Sequence, residues 1–254
     1  MKIVLIGAGN VATILGRKFI QAGHSIVQVI ARDASAASKL AYEWDTESAN
    51  YLSLVNPRAD CYLIAVSDDA IAGISADLKL PAAATVAHTA ASVSREVLAG
   101  VSDHYGVFYP LQSLRREMDR IPDTPIFVDG NDAHCRQLLS RLARSISGEQ
   151  VAVAGDDARL KLHVAAVFVS NFTNHLYALA ESYCRQEGLD FTQLRPLIEE
   201  TAVRIREASP ARVQTGPAIR GDQQTIEKHL ALLNAHPHLQ HMYQVLSESI
   251  RQGS

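Results

Sequence analysis

The chain has 254 residues, of which 47% are hydrophobic and 20% charged, and its formal net charge is −3. This composition is typical of a globular protein and excludes fibrous and strongly disordered chains. A charge this small provides no polybasic surface for a phosphate backbone, so we expect no nucleic-acid partner. No apolar run approaches the roughly 18 residues of a membrane span, and we expect no signal peptide. The three scattered cysteines form no C-x-x-C pair, which is typical of a reducing cytoplasm.

The first part of the chain alternates short apolar runs with helix-like segments. The runs rich in Val, Ile and Ala are residues 3–6, 25–31, 61–66, 85–88, 106–109, 126–128 and 150–153. This rhythm predicts buried parallel strands. Between the first two runs, Val11, Ile14, Leu15 and Phe19 share one helical face, and Gly23 follows as a C-terminal cap. A βαβ unit is therefore predicted to open the chain.

From Asp156 onward the strand pattern stops, and helices are predicted at about residues 156–187, 191–207, 222–234 and 239–251. An α/β barrel would continue its alternation to the end, so two domains are the better interpretation. We predict a doubly wound, mostly parallel α/β sheet in residues 1–154. An all-helical domain is predicted in residues 155–254.

The turn after the first strand carries the pattern Gly7-x-Gly9-x-x-Ala12. In this context Gly7 makes the tight turn, Gly9 lets the backbone approach a pyrophosphate, and Ala12 lets the helix pack on the strand. The anion would lie on the N–H groups at the helix start, which adds Asn10 and Val11 to the predicted cofactor site. The pattern predicts dinucleotide binding. The alternative is a turn of similar shape that binds nothing.

The end of the second strand distinguishes NAD from NADP. An acidic residue about 20 positions after the glycines binds the ribose 2′-hydroxyl of NAD. Here Arg32 would offer its guanidinium to a 2′-phosphate, which favours NADP. In the alternative interpretation, Asp33 binds the ribose and Arg32 is a surface residue. Farther along, residues Ala65, Val66 and Ser67 follow a buried strand and are predicted to line the cofactor crevice.

Hydride transfer to a C=O or C=N bond needs a proton donor near the developing charge. The predicted catalytic residues are Lys161 and His163, near the start of the first long helix, and His88, directly after a buried strand. The alternatives are a surface lysine and histidines that are hydrogen-bonded in packing.

Three further polar residues are predicted to bind substrate: Gln112, Asn171 and Arg220. At regular α-helical spacing, Asn171 shares a face with Lys161. Arg220 lies in a glycine-containing loop and could clamp a carboxylate, or it could pair internally with Asp222. For Gln112 and Asn171 the alternatives are a turn held by the amide and buried helix contacts. No metal site is predicted, because the histidine-rich residues 236–241 have no completing ligand.

Several motifs together resemble a known family. They are Ile6-Gly-Ala-Gly-Asn-Val-Ala12, Ala65-Val-Ser-Asp-Asp-Ala-Ile71, His88-Thr-Ala-Ala-Ser92, Pro110-Leu-Gln112, residues 161–175 and Thr215-Gly-Pro-Ala-Ile-Arg-Gly-Asp222. Over nearly its whole length, the chain resembles bacterial oxidoreductase-like proteins with a Rossmann-like N-terminal domain and a helical domain of unknown function 2520. That group is similar in architecture to pyrroline-5-carboxylate reductase, ketopantoate reductase, and the 6-phosphogluconate and β-hydroxyacid dehydrogenases. The resemblance implies chemistry on a small acid with NADP or NAD.

Two positions depart from the resembled patterns. The β-hydroxyacid dehydrogenases have an asparagine four residues after their catalytic lysine, whereas Ala165 follows Lys161 here. Much of the resembled group has a histidine before Pro-Leu-Gln, and this chain has Tyr109.

We therefore predict a cytoplasmic NADP-dependent oxidoreductase that reduces a small carboxylate-bearing carbonyl or imine in a cleft between the domains. We also expect a homodimer formed through the helical domain. The incomplete lysine and asparagine pair motivates the alternative, a non-catalytic dinucleotide-binding sensor or scaffold.

Overall fold

The computed structural model describes residues 1–253, and the chain divides into two compact units. The first unit is Met1–Ser170 and the second begins at Asn171. The boundary predicted after residue 154 follows the change from strands to helices, and it precedes this division by the length of one helix. The domain limits 1–154 and 155–254 therefore stay a prediction.

Within the described part of the chain, eight strands form one sheet in the first unit. They are β1 (Lys2–Ile6), β2 (Ser25–Ile30), β3 (Glu47–Ala49), β4 (Cys61–Ile64), β5 (Thr85–His88), β6 (His104–Pro110), β7 (Ile126–Gly130) and β8 (Val151–Val153). Their order across the sheet is β3-β2-β1-β4-β5-β6-β7-β8. Neighbouring strands are parallel except for β6 and β7. The predicted mostly parallel, doubly wound sheet is confirmed.

The β6–β7 pair is the antiparallel part of this mostly parallel sheet. These two strands are antiparallel, with Phe108 opposite Val128. Residues 111–125 join them without a helix in the described structure. A parallel pair needs a crossover connection, usually a helix, whereas an antiparallel pair can be joined directly.

The α-helices lie on both faces of the sheet and then make up the rest of the chain. In the first unit they are α1 (Asn10–Gln21), α2 (Ala34–Glu43), α3 (Asp68–Asp77), α4 (Ala133–Ser147) and α5 (Asp156–Ala166). In the second they are α6 (Thr173–Gln186), α7 (Arg195–Glu207), α8 (Gln223–Leu232) and α9 (Pro237–Gln252). Short 3-10 turns occur at Leu52–Leu54, Arg95–Leu98, Phe191–Leu194, Pro210–Val213 and Leu233–Ala235.

A π-helical segment, Val167–Phe172, interrupts the long helix predicted over residues 156–187. Its hydrogen bonds run from residue i to i+5, so each turn takes about one more residue than an α-helical turn. Regular α-helical spacing therefore does not continue through this segment. Asn171 lies inside this segment and Lys161 before it, so the common face of these two residues stays a prediction.

The core of the first unit lies on both faces of the sheet, because successive strand residues point to opposite sides. Ile3 and Leu5 of β1 pack in the same cluster as Phe19 of α1. Val4 and Ile6 of the same strand belong to the cluster on the other face. Strands covered on both faces explain the continuous apolar runs of the sequence.

Trp44 follows α2 and packs against α1 at Gly16. A Cβ atom placed on Gly16 would lie 2.4 Å from Cη2 of the Trp44 ring, so only glycine leaves room for this contact. The indole is partly buried against the first hydrophobic cluster.

The second unit buries few residues in its described part. The buried ones are Cys184, Ala218, Ile226, Leu233 and Ser247. Large apolar side chains stay exposed, among them Leu197 (66%) and Leu232 (68%). Among residues 1–253, none of the helices combines the length and apolar character that a membrane crossing requires.

Candidate functional site

A cavity of ≈ 1200 Å³ opens at the carboxyl ends of β1, β2 and β4. The final residues of these strands are neighbours in register, with Ile6 paired to both Ile30 and Ile64. The turns that follow, residues 7–11, 31–33 and 65–67, therefore line one cavity. In open parallel α/β sheets this edge is where ligands bind.

Gly7 begins the first of these turns. Its φ is +125°, a conformation that residues with a side chain rarely adopt, and its N–H donates to the Ile30 carbonyl at 2.7 Å. A Cβ atom at this position would lie 2.1 Å from the Ala65 carbonyl oxygen. Gly7 is therefore required by the protein itself.

Gly9 differs from Gly7, because neither its backbone nor its packing requires glycine. Its backbone (φ −86°, ψ −169°) suits any residue, and a Cβ atom there would meet nothing within 4 Å. Gly9 nevertheless lines the cavity, directly before α1. Nothing in the packing of the described protein explains glycine here, whereas the close approach of a ligand to the backbone does.

The first turn of α1 lies at the cavity. Asn10 and Val11 line the cavity, and α1 has no acidic residue in this turn. An unopposed helix N-terminus of this kind favours an anion. Ala12 is completely buried and packs the helix on the sheet instead of lining the cavity.

Arg32 and Asp33 follow β2 and both line the cavity. The Asp33 carboxylate accepts a hydrogen bond from the Ala36 amide at 3.1 Å and caps α2. Arg32 is exposed at the cavity wall. Because the cap already uses Asp33, the geometry favours Arg32 as the group that meets the ribose end of a ligand.

Ala65, Val66 and Ser67 form the wall after β4. Ser67 precedes α3 but makes no side-chain capping bond, so its hydroxyl is left for other partners. The neighbouring Asp68 carboxylate accepts a short hydrogen bond from the Ser92 hydroxyl, which lies in the segment after β5. This bond connects the ends of β4 and β5.

His88 is completely buried at the end of β5 and does not line the cavity. Its Nδ1 accepts from the Ala90 amide at 3.2 Å, so the proton lies on Nε2, which faces the Ser94 carbonyl at 3.4 Å. Burial, together with the positive charge of Arg159, lowers the pKa of His88 to about 4. The ring is therefore neutral at neutral pH.

Lys161 and His163 lie in α5 but have very different surroundings. The Lys161 ammonium binds the Asp157 carboxylate at 2.7 Å, and the exposed fractions of these two side chains are 76% and 82%. His163 is partly buried, and its Nδ1 lies 3.0 Å from the hydroxyl of Tyr109. The structure thus pairs one predicted residue, His163, with Tyr109 at the end of β6.

Tyr109 is 7% exposed and lies at the same edge of the sheet as the cavity, because β6 is parallel to β5. Burial raises the pKa of its hydroxyl, and the charge of Arg159 opposes this rise. The Asp68 carboxylate also acts on Tyr109 electrostatically. Asp68 directly follows Ser67 of the cavity wall, whereas Tyr109 and His163 do not themselves line the cavity.

Arg159, one helical turn before His163, was missed by sequence reasoning. It is 1% exposed. Its Nε donates to the Ala91 carbonyl at 2.9 Å, and its Nη2 donates to Val93 and Asp156. Its Nη1 is buried and has no hydrogen-bond partner among the described residues. Arginines are usually found at the surface, so no sequence pattern signals this buried charge.

The three residues predicted to bind substrate belong to different units. Gln112 donates to the Asp123 carbonyl at 2.8 Å and accepts from the Ser113 amide at 3.0 Å, so its amide already holds its own loop. Asn171 and Arg220 belong to the second unit, where both are exposed. Among the described residues, no group of three or more His, Cys, Asp or Glu side chains could hold a metal ion.

Two family models match the chain. Residues 2–92 match the family described as NADP oxidoreductase coenzyme F420-dependent. Residues 124–250 match the domain of unknown function DUF2520. No curated protein matches the sequence.

Solved structures similar to this chain come from several organisms. Protein BF3122 of Bacteroides fragilis, provisionally named an NADP oxidoreductase, is 39% identical, with a TM-score of 0.91 over 99% of this chain and 98% of that one. An imine reductase of Myxococcus stipitatus in complex with NADP+ is 15% identical, with a TM-score of 0.67 over 99% and 93% of the two chains. A 1-pyrroline-5-carboxylate reductase of Streptococcus pyogenes is 13% identical, with a TM-score of 0.67 over 99% and 98%. At the two lower identities the likeness shows the fold alone.

Proposed function

Because the chain belongs to the DUF2520 family, with an NADP oxidoreductase segment before that domain, we propose that it is a reductase that uses NADPH to reduce a small carboxylate-bearing imine or carbonyl compound. The observation that carries this proposal is Gly9. It lines the cavity with backbone alone, although neither its conformation nor its packing requires glycine.

The residues present fit a dinucleotide. The backbone of residues 7–11 would hold the pyrophosphate, and Arg32 the 2′-phosphate. The apolar side chains Ile30, Leu52 and Ile74 give the cavity a wall suited to an adenine ring. When bound, NADPH supplies the hydride.

The proton is proposed to come from the Tyr109 hydroxyl, with His163 as its partner. Reduction of C=N or C=O adds a hydride to carbon and a proton to nitrogen or oxygen. Tyr109 would give this proton, and His163, 3.0 Å away, would return one to the phenolate. Lys161 and His88 remain predicted proton donors. Both are less well supported than His163, because Lys161 is paired with Asp157 at an exposed position and His88 is completely buried.

A carboxylate-bearing substrate is supported by Arg159. This arginine carries a positive charge one turn before His163, and its Nη1 has no partner in the described chain. An anionic group entering beside His163 would satisfy that atom. The imine reductase and the pyrroline-5-carboxylate reductase of the same fold act on the substrate classes that their names state. Asn171 and Arg220 of the second unit and Gln112 remain predicted substrate contacts.

We also propose that the protein is cytoplasmic and that it forms a homodimer through the second unit. The described part of this unit buries only five residues, while Leu197, Ile205 and Leu232 are half to two-thirds exposed. A second copy of the chain would cover such faces. Light scattering at micromolar concentration is expected to give twice the chain mass, and a monomeric mass would contradict the dimer.

Calorimetric titration with NADPH and NADH tests the proposed function. NADPH is expected to bind at least tenfold more tightly, a difference of ~1.4 kcal/mol, and Arg32→Ala to remove this preference. Arg58→Ala is the matched control, because Arg58 is exposed and does not line the cavity. The proposal fails if the intact protein binds neither nucleotide.

Turnover separates the enzyme from the alternative, a sensor or scaffold. A panel of 2-oxo acids and cyclic imine carboxylates is incubated with NADPH, and the absorbance of the reduced nicotinamide is followed. Consumption that depends on one substrate class is expected. Tight NADPH binding without any consumption across the panel would favour the sensor.

A further inference from the structure

The loop between β6 and β7 carries an arginine to the cofactor cavity. Arg116 lines the cavity together with the turn at residues 7–11, although it is more than a hundred positions away in sequence. It lies between the segments that match the two family models, residues 2–92 and 124–250. Neither family model therefore describes it.

The backbone of Arg116 is fixed to α1 by both of its polar groups. Its N–H donates to Oδ1 of Asn10 at 3.2 Å, and its carbonyl oxygen accepts from Nη1 of Arg17 at 2.8 Å. Arg17 is held in turn by the Glu43 carboxylate at 3.0 Å. The loop is thus docked on the first two turns of α1, and Asn10 is the first residue of that helix.

The Arg116 guanidinium forms only a weak ion pair in this structure. Its Nε donates to the carboxylate of the adjacent Glu117 at 3.2 Å, and both side chains are more than half exposed. Exposed ion pairs between flexible side chains contribute little, so a phosphate could readily replace Glu117. Arginine binds phosphate oxygens with two parallel hydrogen bonds, which makes such an exchange favourable.

The two arginines that line the cavity lie at different positions along it. Arg32 follows β2, whereas Arg116 is docked at the start of α1. The start of α1, with its glycine turn, is the proposed place of the pyrophosphate. No acidic side chain stands in that first turn to compete for the guanidinium.

We propose that Arg116 binds the pyrophosphate of the dinucleotide together with the glycine turn, and that the docked loop positions it there. This inference rests on the proposed function, because it assumes a dinucleotide in the cavity. It adds a phosphate contact that is independent of the 2′-phosphate.

NADH and NADPH distinguish the two arginines, because only NADPH carries the 2′-phosphate. Dissociation constants of both nucleotides are measured by calorimetry for the intact protein and for Arg116→Ala, Arg32→Ala and Arg115→Ala. Arg116→Ala is expected to weaken the binding of NADPH and of NADH by the same factor, about tenfold. Arg32→Ala is expected to weaken the binding of NADPH alone.

Arg115→Ala is the matched control. It removes the same charge from the neighbouring exposed residue, which does not line the cavity, and it is expected to leave both affinities within about twofold. Unfolding temperatures of all variants confirm that they fold alike.

Three results would overturn the inference. Equal affinities for Arg116→Ala and Arg115→Ala would mean that the loop arginine makes no phosphate contact. If Arg116→Ala lost affinity for NADPH but not for NADH, Arg116 would contact the 2′-phosphate and not the pyrophosphate. If the intact protein bound neither nucleotide, the proposed function would fall and this inference with it, whereas the first two results leave that function standing.

Discussion

Replacing Gly9 by alanine is expected to weaken NADPH binding at least tenfold while leaving the stability of the protein almost unchanged. The new methyl group meets no protein atom within 4 Å, and the backbone of Gly9 already has a conformation open to alanine. The methyl group would instead occupy space that we assign to the pyrophosphate. Calorimetry gives the affinity, and urea unfolding gives the free energy of unfolding.

Gly7→Ala is the contrasting variant. It places a methyl group 2.1 Å from the Ala65 carbonyl oxygen and forces a side chain into φ +125°. We expect it to lower the free energy of unfolding by roughly 2 kcal/mol or more. The alanine variants of Gly7 and Gly9, two glycines of one turn, are thus expected to show their defects in different assays. A Gly9→Ala variant with normal NADPH affinity would remove the main support for a cofactor in this cavity.

Replacing Tyr109 by phenylalanine is expected to lower kcat/KM by a factor of 10² to 10⁴ on any substrate found in the turnover panel, the range typical of a lost proton donor. The ring and its packing remain, so NADPH affinity and stability are expected to change little. His163→Gln is expected to lower the rate less, because it removes the partner of Tyr109 and not the donor itself.

The pH dependence of the rate separates a proton donor from a packing residue. Tyr109 must be protonated to act, and burial raises its pKa above the ordinary value near 10, so the intact enzyme is expected to retain activity up to alkaline pH. Lys161→Ala and His88→Gln are measured beside it. If Lys161→Ala abolishes turnover while Tyr109→Phe does not, the lysine is the donor and our assignment is wrong.

Local sequence could predict the strands that form apolar runs. β1, β2, β4 and β5 are apolar runs covered on both faces, and β5 was predicted to the residue. β3 was not predicted, because its three residues Glu47–Ala49 lie at the sheet edge and include exposed Glu47 and Ser48. These polar residues leave no apolar run to detect, whereas the opposite edge strand, β8, consists of Val-Ala-Val and was predicted.

For the candidate site, too, only the features that are local in sequence could be predicted. The turn at residues 7–12 could be predicted because every contribution to it is local in sequence. The Tyr109–His163 hydrogen bond joins residues 54 positions apart, and Arg116 meets Asn10 across 106 positions. Contacts of this kind depend on the order of strands in the sheet, which a spacing pattern does not contain.

The packing of Trp44 on Gly16 gives the first unit an intrinsic fluorescent probe. Trp44 is the one tryptophan of the chain, and it lies in the first unit. Indole fluorescence during urea unfolding therefore reports on that unit alone, whereas far-ultraviolet circular dichroism sums the helices of both units. Coincident curves would show one cooperative transition, and separated curves would give each unit a stability of its own.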